Sequence, residues 1–123
     1  MTNQPRGETC KELQAALDII SGKWKPIILF HLMENETLRF SELQRAIPEI
    51  TKKMLTSQLR ELEYNNIIDR KVYQQVPPKV EYSMSDYGHG LKPLLVSMRS
   101  WGFNHLEHLK GLYREDNEKM MEN

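Results

Sequence analysis

Residues 50–82 constrain the fold more than any other part of the chain. They open with Ile50-Thr51-Lys52-Lys53-Met54-Leu55-Thr56-Ser57-Gln58-Leu59-Arg60-Glu61-Leu62-Glu63. Leu55, Leu59 and Leu62 recur at the i, i+4, i+7 spacing of an amphipathic helix, and Thr51 stands where a helix needs an N-cap. Asn65-Asn66 follow, residue types that tolerate the left-handed conformation in which many helices end. Two short β-rich runs come next, near Ile68–Gln74 and Lys79–Met84, separated by a turn that contains Pro77-Pro78. A capped helix followed at once by a β-hairpin has the order of a recognition helix and its wing. The expected fold is therefore α+β and mainly helical, a winged helix-turn-helix with extra helices at both ends.

The rest of the chain fits around that segment. Residues 1–9, with Pro5 and Gly7, read as a flexible arm. Leu13, Ala16, Leu17 and Ile20 mark a first helix that begins near Lys11 and stops at Gly22. A second helix is expected from Lys23 to Glu34. Pro26 lies in its first turn, and its apolar residues go nearly all round, as in a central helix. Leu38-Arg39-Phe40 is a short extended piece. Ser41, with Gln44 three residues on, predicts the start of a short helix that Pro48 ends. Ser85-Asp86 predicts the start of a last helix carrying Leu91, Leu94, Leu95, Met98, Trp101, Leu106, Leu109 and Leu112. One domain is expected over residues 10–113, with 114–123 as a charged, fraying tail.

On the helix from Thr51, the face opposite the leucines carries Lys52, Lys53, Thr56, Ser57 and Arg60. Cations there neutralise phosphates, and hydroxyls or arginine contact base edges. Thr51, Lys52, Lys53, Thr56 and Ser57 lie at the N-terminal end, the part of a recognition helix nearest the bases. Arg39 and Ser41, where the preceding helix begins, and Lys79 on the wing complete the expected DNA-contact set. Arg70 or Lys71 at the base of the wing could also reach a phosphate. Any soluble protein can carry a solvated cationic helix face, and a plain surface hairpin explains each wing residue equally well. The order of elements is what favours double-stranded DNA as partner.

Charge supports this modestly. The formal net charge is zero, but residues 39–79 hold eight Lys/Arg against five Asp/Glu, while residues 1–38 hold four against five and residues 80–123 five against seven. No run approaches the roughly 20 apolar residues of a membrane helix, the N-terminus is polar, and one cysteine cannot form an internal disulfide. A cytoplasmic location is expected. His105 and His108 lie three apart, but no carboxylate or cysteine completes a ligand set. No phosphate loop, nucleophile elbow or paired catalytic carboxylates are present, so neither a cofactor, a metal nor an enzymatic activity is expected.

Two features point past DNA. The apolar stripe of the last helix is too long for a small reading head to cover, which predicts a homodimer through Leu13, Leu17, Leu94, Met98, Trp101 and Leu109. Folding back onto its own domain is the competing reading. Cys10 is expected just before the first helix and beside Lys11, and both a helix start and a neighbouring cation favour thiolate. An inert small apolar residue is equally consistent with that position.

The chain resembles the HxlR family, a branch of the MarR-like winged-helix regulators. The resemblance covers about residues 10–102. It is carried by Cys10, by Ala16-Leu17-Asp18-Ile19-Ile20-Ser21-Gly22-Lys23-Trp24-Lys25, by Leu38-Arg39-Phe40-Ser41-Glu42-Leu43, by the run from Ile50 to Glu63, by Val76-Pro77-Pro78-Lys79-Val80-Glu81-Tyr82-Ser83, and by Ser100-Trp101-Gly102. It implies a bacterial, dimeric transcription factor on a palindromic operator, with Cys10 as a sensor of oxidants or electrophiles. Thr51 and Asn65-Asn66 depart from commoner choices in the family, so the base sequence read does not transfer. The alternatives are a regulator controlled by a small ligand and a protein-interaction module that keeps the fold without binding DNA.

Overall fold

The structure, a computed structural model, describes the backbone of residues 6–122 and the side chains of residues 10–121. It divides into two compact units, Met1–Gly90 and Leu91–Asn123.

In the first unit, α1 spans Arg6–Ile20, α2 Lys25–Glu34, α3 Phe40–Ala46 and α4 Lys52–Tyr64. Strands β1 (Leu38–Arg39), β2 (Ile68–Tyr73) and β3 (Lys79–Met84) form an antiparallel sheet in the order β1-β3-β2. The register places Leu38 opposite Tyr82, Arg39 and Lys71 on either side of Glu81, and Ile68 opposite Met84. A 3-10 turn, Gly88–Leu91, leads to α5, Lys92–Glu122, in the second unit. Three helices, a helix-turn-helix pair and a three-stranded wing give the winged helix-turn-helix architecture.

The core of the first unit is aliphatic and draws on every element around α4. Ile28, Leu29 and Leu32 come from α2, Leu43 from α3, Ile47 and Ile50 from the turn after it, and Leu55, Leu59 and Leu62 from α4. Ile67, Ile68 and Met84 close it from the sheet. At about 1.5–3 kcal/mol for each fully buried aliphatic side chain, this cluster fixes how the helix-turn-helix sits on the sheet.

Four boundaries differ from the sequence expectations. The expected arm at residues 1–9 is helical from Arg6 onward, and residues 1–5 lie outside the described residues. Ser41 is not the cap of α3. That helix begins one residue earlier with Arg39 as N-cap, and the Glu42 carboxylate accepts from the Arg39 backbone N–H at 2.9 Å. Ser85-Asp86 does not open the last helix either. Ser85 is buried, α5 starts at Lys92, and Pro93 occupies its first turn, where a missing N–H is harmless. The expected fraying tail is helical as far as Glu122. No helix among the described residues is long and apolar enough to cross a membrane.

Candidate nucleic-acid interface

The turn between α3 and α4 is made by the chain itself. Ile47 N–H donates to Leu43 C=O at 3.0 Å, and Ile50 N–H donates to Ile47 C=O at 3.1 Å. Both isoleucines are buried while Pro48 and Glu49 between them are exposed. Pro48 ends α3, and the Ile50 anchor sets where α4 begins.

Both ends of α4 are capped by the residues expected. Thr51 is extended, and its hydroxyl oxygen accepts from Met54 N–H at 3.1 Å. At the other end Asn66 takes φ 61°, Asn66 N–H donates to Glu63 C=O and Ile67 N–H donates to Leu62 C=O, a Schellman motif. Ile67 and Leu62, joined by that outer bond, are both buried. The helix is therefore closed by packing as well as by hydrogen bonds, and it delivers the chain directly into β2.

Lys52, Lys53, Ser57 and Arg60 are exposed on the face away from the core. Thr56 is half-buried and its hydroxyl donates to Lys52 C=O at 2.8 Å, so its proton is committed to the helix and its oxygen remains an acceptor. Thr51 likewise has a structural duty as cap. Arg39 and Ser41 are exposed at the start of α3. A cleft of about 420 Å³ between α4 and the sheet is lined by Thr56, Arg60, Glu63, Arg70 and Tyr82, among others. It brings the last cation of the α4 face beside a cation at the base of the wing.

Lys79 has a partner that the sequence did not suggest. It is not free at the wing but ion-paired with Glu81, Nζ to Oε1 2.8 Å, and Tyr73 O–H donates to the second carboxylate oxygen at 3.3 Å. The adjoining ammonium holds the Glu81 carboxyl below its ordinary value, with help from Tyr73 and Arg39. Sequence reading missed Glu81 and Tyr73. The available signal was alternation along β3, which puts residues 79 and 81 on one face.

A second unforeseen contact ties α2 to the helix on which these cations sit. Lys25, only 14% exposed, pairs with Glu61 of α4 at 2.6 Å and also donates to the Asp18 carbonyl of α1 at 3.4 Å. Lys23 approaches Glu49 at 4.0 Å. Lysines at the α1–α2 junction thus reach the turn before α4 and the third turn of α4 itself.

Cys10 is exposed, but it lies four residues after Arg6 and so more than one turn inside α1. The field of a helix terminus falls off within the first turn, and the expectation of a cysteine at the helix start is corrected accordingly. Leu13 and Leu17 on α1, and Leu94, Met98 and Trp101 on α5, are exposed, while Leu109 is half-buried. His105 stacks on Trp101 with centroids 4.9 Å apart, and His108 is 6.4 Å from His105. No group of three or more potential metal ligands occurs among the described residues.

Comparison with known proteins places this geometry. Residues 19–110 match the family described as HxlR-like helix-turn-helix. The HTH-type transcriptional regulator YtcD of Bacillus subtilis (strain 168) is 52% identical over 99 residues, 80% of this chain and 78% of that protein. Among solved structures, the reduced form of the redox regulator HypR superimposes with a TM-score of 0.77 at 45% identity, covering 81% of this chain and 98% of HypR. The oxidised form of HypR gives 0.72 at 47% identity, covering 76% and 95%.

Proposed function

The chain belongs to the HxlR-like helix-turn-helix family, whose members matched here are transcriptional regulators, and from that premise we propose that it binds a palindromic operator as a homodimer and responds to oxidants or electrophiles through Cys10. The observation that carries the DNA half of this reading is the outer face of α4. A helix capped by Thr51 and anchored by three buried leucines presents Lys52, Lys53, Ser57 and Arg60 to solvent, directly after a short helix and directly before a hairpin. Lysines at the start of such a helix, and Arg60 two turns on, meet phosphates flanking the major groove, while Ser57 and the Thr56 oxygen offer polar groups to base edges.

The dimer reading rests on α1 and α5. Leu13 is 62% and Trp101 68% exposed, and Leu17, Leu94 and Met98 are exposed as well, apolar side chains that a partner surface would take out of water. A second copy covers them, in a reciprocal interface that repeats the same residues. Two α4 helices about one helical turn apart, roughly 34 Å, then meet successive major grooves. The redox reading rests on the exposure of Cys10 in α1 and on likeness to HypR, a redox regulator solved in reduced and oxidised forms. No enzymatic step enters this function.

The test is a gel shift on the DNA just upstream of the gene itself. Lys53→Ala and Arg60→Ala each lower affinity and reduce the slope of log K against log salt by about one. Should both variants follow the parent at every salt concentration, this face of α4 is not the DNA-binding face.

A further inference from the structure

One face of the wing gathers an unusual amount of charge around a single carboxylate. Glu81 sits on the central strand, with Arg39 of β1 opposite it on one side and Lys71 of β2 on the other. Lys79, two residues earlier on the same face, lies opposite Tyr73. The Lys79 ammonium pairs with one oxygen of Glu81 at 2.8 Å, and the Tyr73 hydroxyl donates to the other at 3.3 Å. The Lys71 and Lys79 ammonium groups also lie 4.8 and 4.9 Å from the centroid of the Tyr73 ring. Lys79 is 27% and Glu81 16% exposed, so the pair is sheltered rather than waving in water. Two lysines thus share the Tyr73 ring, and one of them, Lys79, also holds the Glu81 carboxylate.

An anion at this place works against attraction to a polyanion, and its geometric consequence is definite. It holds the side chain of Lys79, the wing cation nearest the proline turn, down on the sheet. We propose that Glu81 is a specificity-determining residue of the DNA face: by pinning Lys79 it keeps the wing from grasping phosphates in arbitrary registers, so that discrimination is left to α4. This rests on the DNA-binding reading given above.

The physical reason is a difference between two modes of binding. Non-specific binding comes almost wholly from phosphate neutralisation, so any cation freed on a flexible stem strengthens it and steepens its salt dependence. In the operator complex α4 fixes the register. There a pre-positioned Lys79 has lost little freedom, and a freed one must be ordered again. Removing the charge of Glu81 therefore raises affinity for random DNA more than affinity for the operator, and the ratio of the two falls. That ratio, not either affinity alone, decides occupancy among competing sites.

The experiment uses the full chain and two duplexes of equal length, one from just upstream of its own gene and one of random sequence. Glu81→Gln keeps the size and the acceptor for Tyr73 but removes the charge. The expected result is severalfold tighter binding to random DNA, a salt slope on that DNA steeper by about one, and a smaller operator-to-random ratio. Adding Lys79→Met to Glu81→Gln returns the slope to that of the parent. Melting temperatures are read for each variant. A Glu81→Gln protein with a lowered melting temperature but the parent's slope and ratio means the residue is merely structural, and the proposal is overturned. A slope that stays steep in the double variant overturns the assignment to Lys79. A parent that binds neither duplex removes the DNA-binding reading itself and this proposal with it, whereas a parent that binds both leaves that reading standing whatever Glu81→Gln does.

Discussion

Where β3 ends, Ser85 joins the chain back to the turn that leaves α4. Its hydroxyl lies 2.7 Å from the carbonyl of Asn66 and 3.0 Å from that of Ile67, and it accepts from Gly88 N–H at 2.8 Å. Gly88 comes so close that a Cβ there would overlap the Ile67 carbonyl oxygen. Ser85→Ala leaves a buried N–H without a partner and should cost about 1–3 kcal/mol. Gly88→Ala forces the close approach apart and should cost about 1–3 kcal/mol as well. Urea unfolding monitored by circular dichroism checks both, and a midpoint unchanged in either variant removes that residue's part in the joint. The long-range part of this joint was not legible in the sequence. A serine followed by an aspartate looks like a helix cap, because capping is a local pattern. Its bond to Gly88 N–H is local, but the two carbonyls its hydroxyl meets lie 18 and 19 residues away, and only the folded sheet brings them near. The outward placement of Lys52, Lys53, Ser57 and Arg60 on α4 was legible because it follows from helix periodicity. The pairing of Lys79 with Glu81 required knowing which strand neighbours which.

At the scale of elements, α4 shows what a sequence can specify. Its start, its end and its buried face were all foreseen, since a threonine cap, a left-handed asparagine and an i, i+4, i+7 leucine pattern agree with one another. Thr51→Ala should cost about 0.5–2 kcal/mol by removing the acceptor for Met54 N–H. Asn66→Ala should cost about 1 kcal/mol, because a Cβ without a compensating side chain is strained at positive φ, while Asn66→Gly should be nearly neutral. Equal losses for the alanine and glycine variants in thermal melts would show that the side chain, not the backbone conformation, matters there. The N-terminal end of α1 was misread for the converse reason. Pro5 and Gly7 suggest a loose arm, yet the helix runs back to Arg6. The wing adds a pH signature. Glu81 is depressed in the folded state relative to its ordinary value of 4.5, chiefly by Lys79. The stability it contributes is complete above 4.5 and is lost as pH falls through the lower, folded-state value. In Glu81→Gln the melting temperature should therefore fall less steeply than in the parent as pH drops below 4.5, and parallel curves would contradict the linkage.

At the scale of the whole molecule, the question is what covers the apolar surface. The 31 residues of α5 make a rod of about 46 Å. At 100° per residue, Leu94, Met98, Trp101 and His105 follow one stripe, and Val96 and Phe103, also exposed, lie on the other side. Exposed leucines on α1 add to this. Sedimentation at micromolar concentration should show a dimer, and a monomer there would sink the interface. In the function proposed above, Cys10 would connect that interface to control. With no second cysteine in the chain, loss of two electrons and two protons from two thiols to diamide can only join two copies or join Cys10 to an external thiol. Either product adds a constraint or bulk to α1, close in sequence to Leu13 and Leu17. A change in how the copies meet moves one α4 relative to the other, and a few ångströms suffice to take one of them out of its groove. The specific affinity lost is then most of that half-site's share. The expectation is weaker operator binding after diamide in the parent, restored by a reducing thiol, with no change in Cys10→Ser. A quinone should give the same loss without thiol reversal, since a thioether is not exchanged by thiols. The exposure of Cys10 supports its access to both reagents, whereas its place more than one turn inside α1 denies it the help of a helix terminus. If operator binding is unaltered by both reagents, or Cys10→Ser is released as readily as the parent, control lies elsewhere than at Cys10.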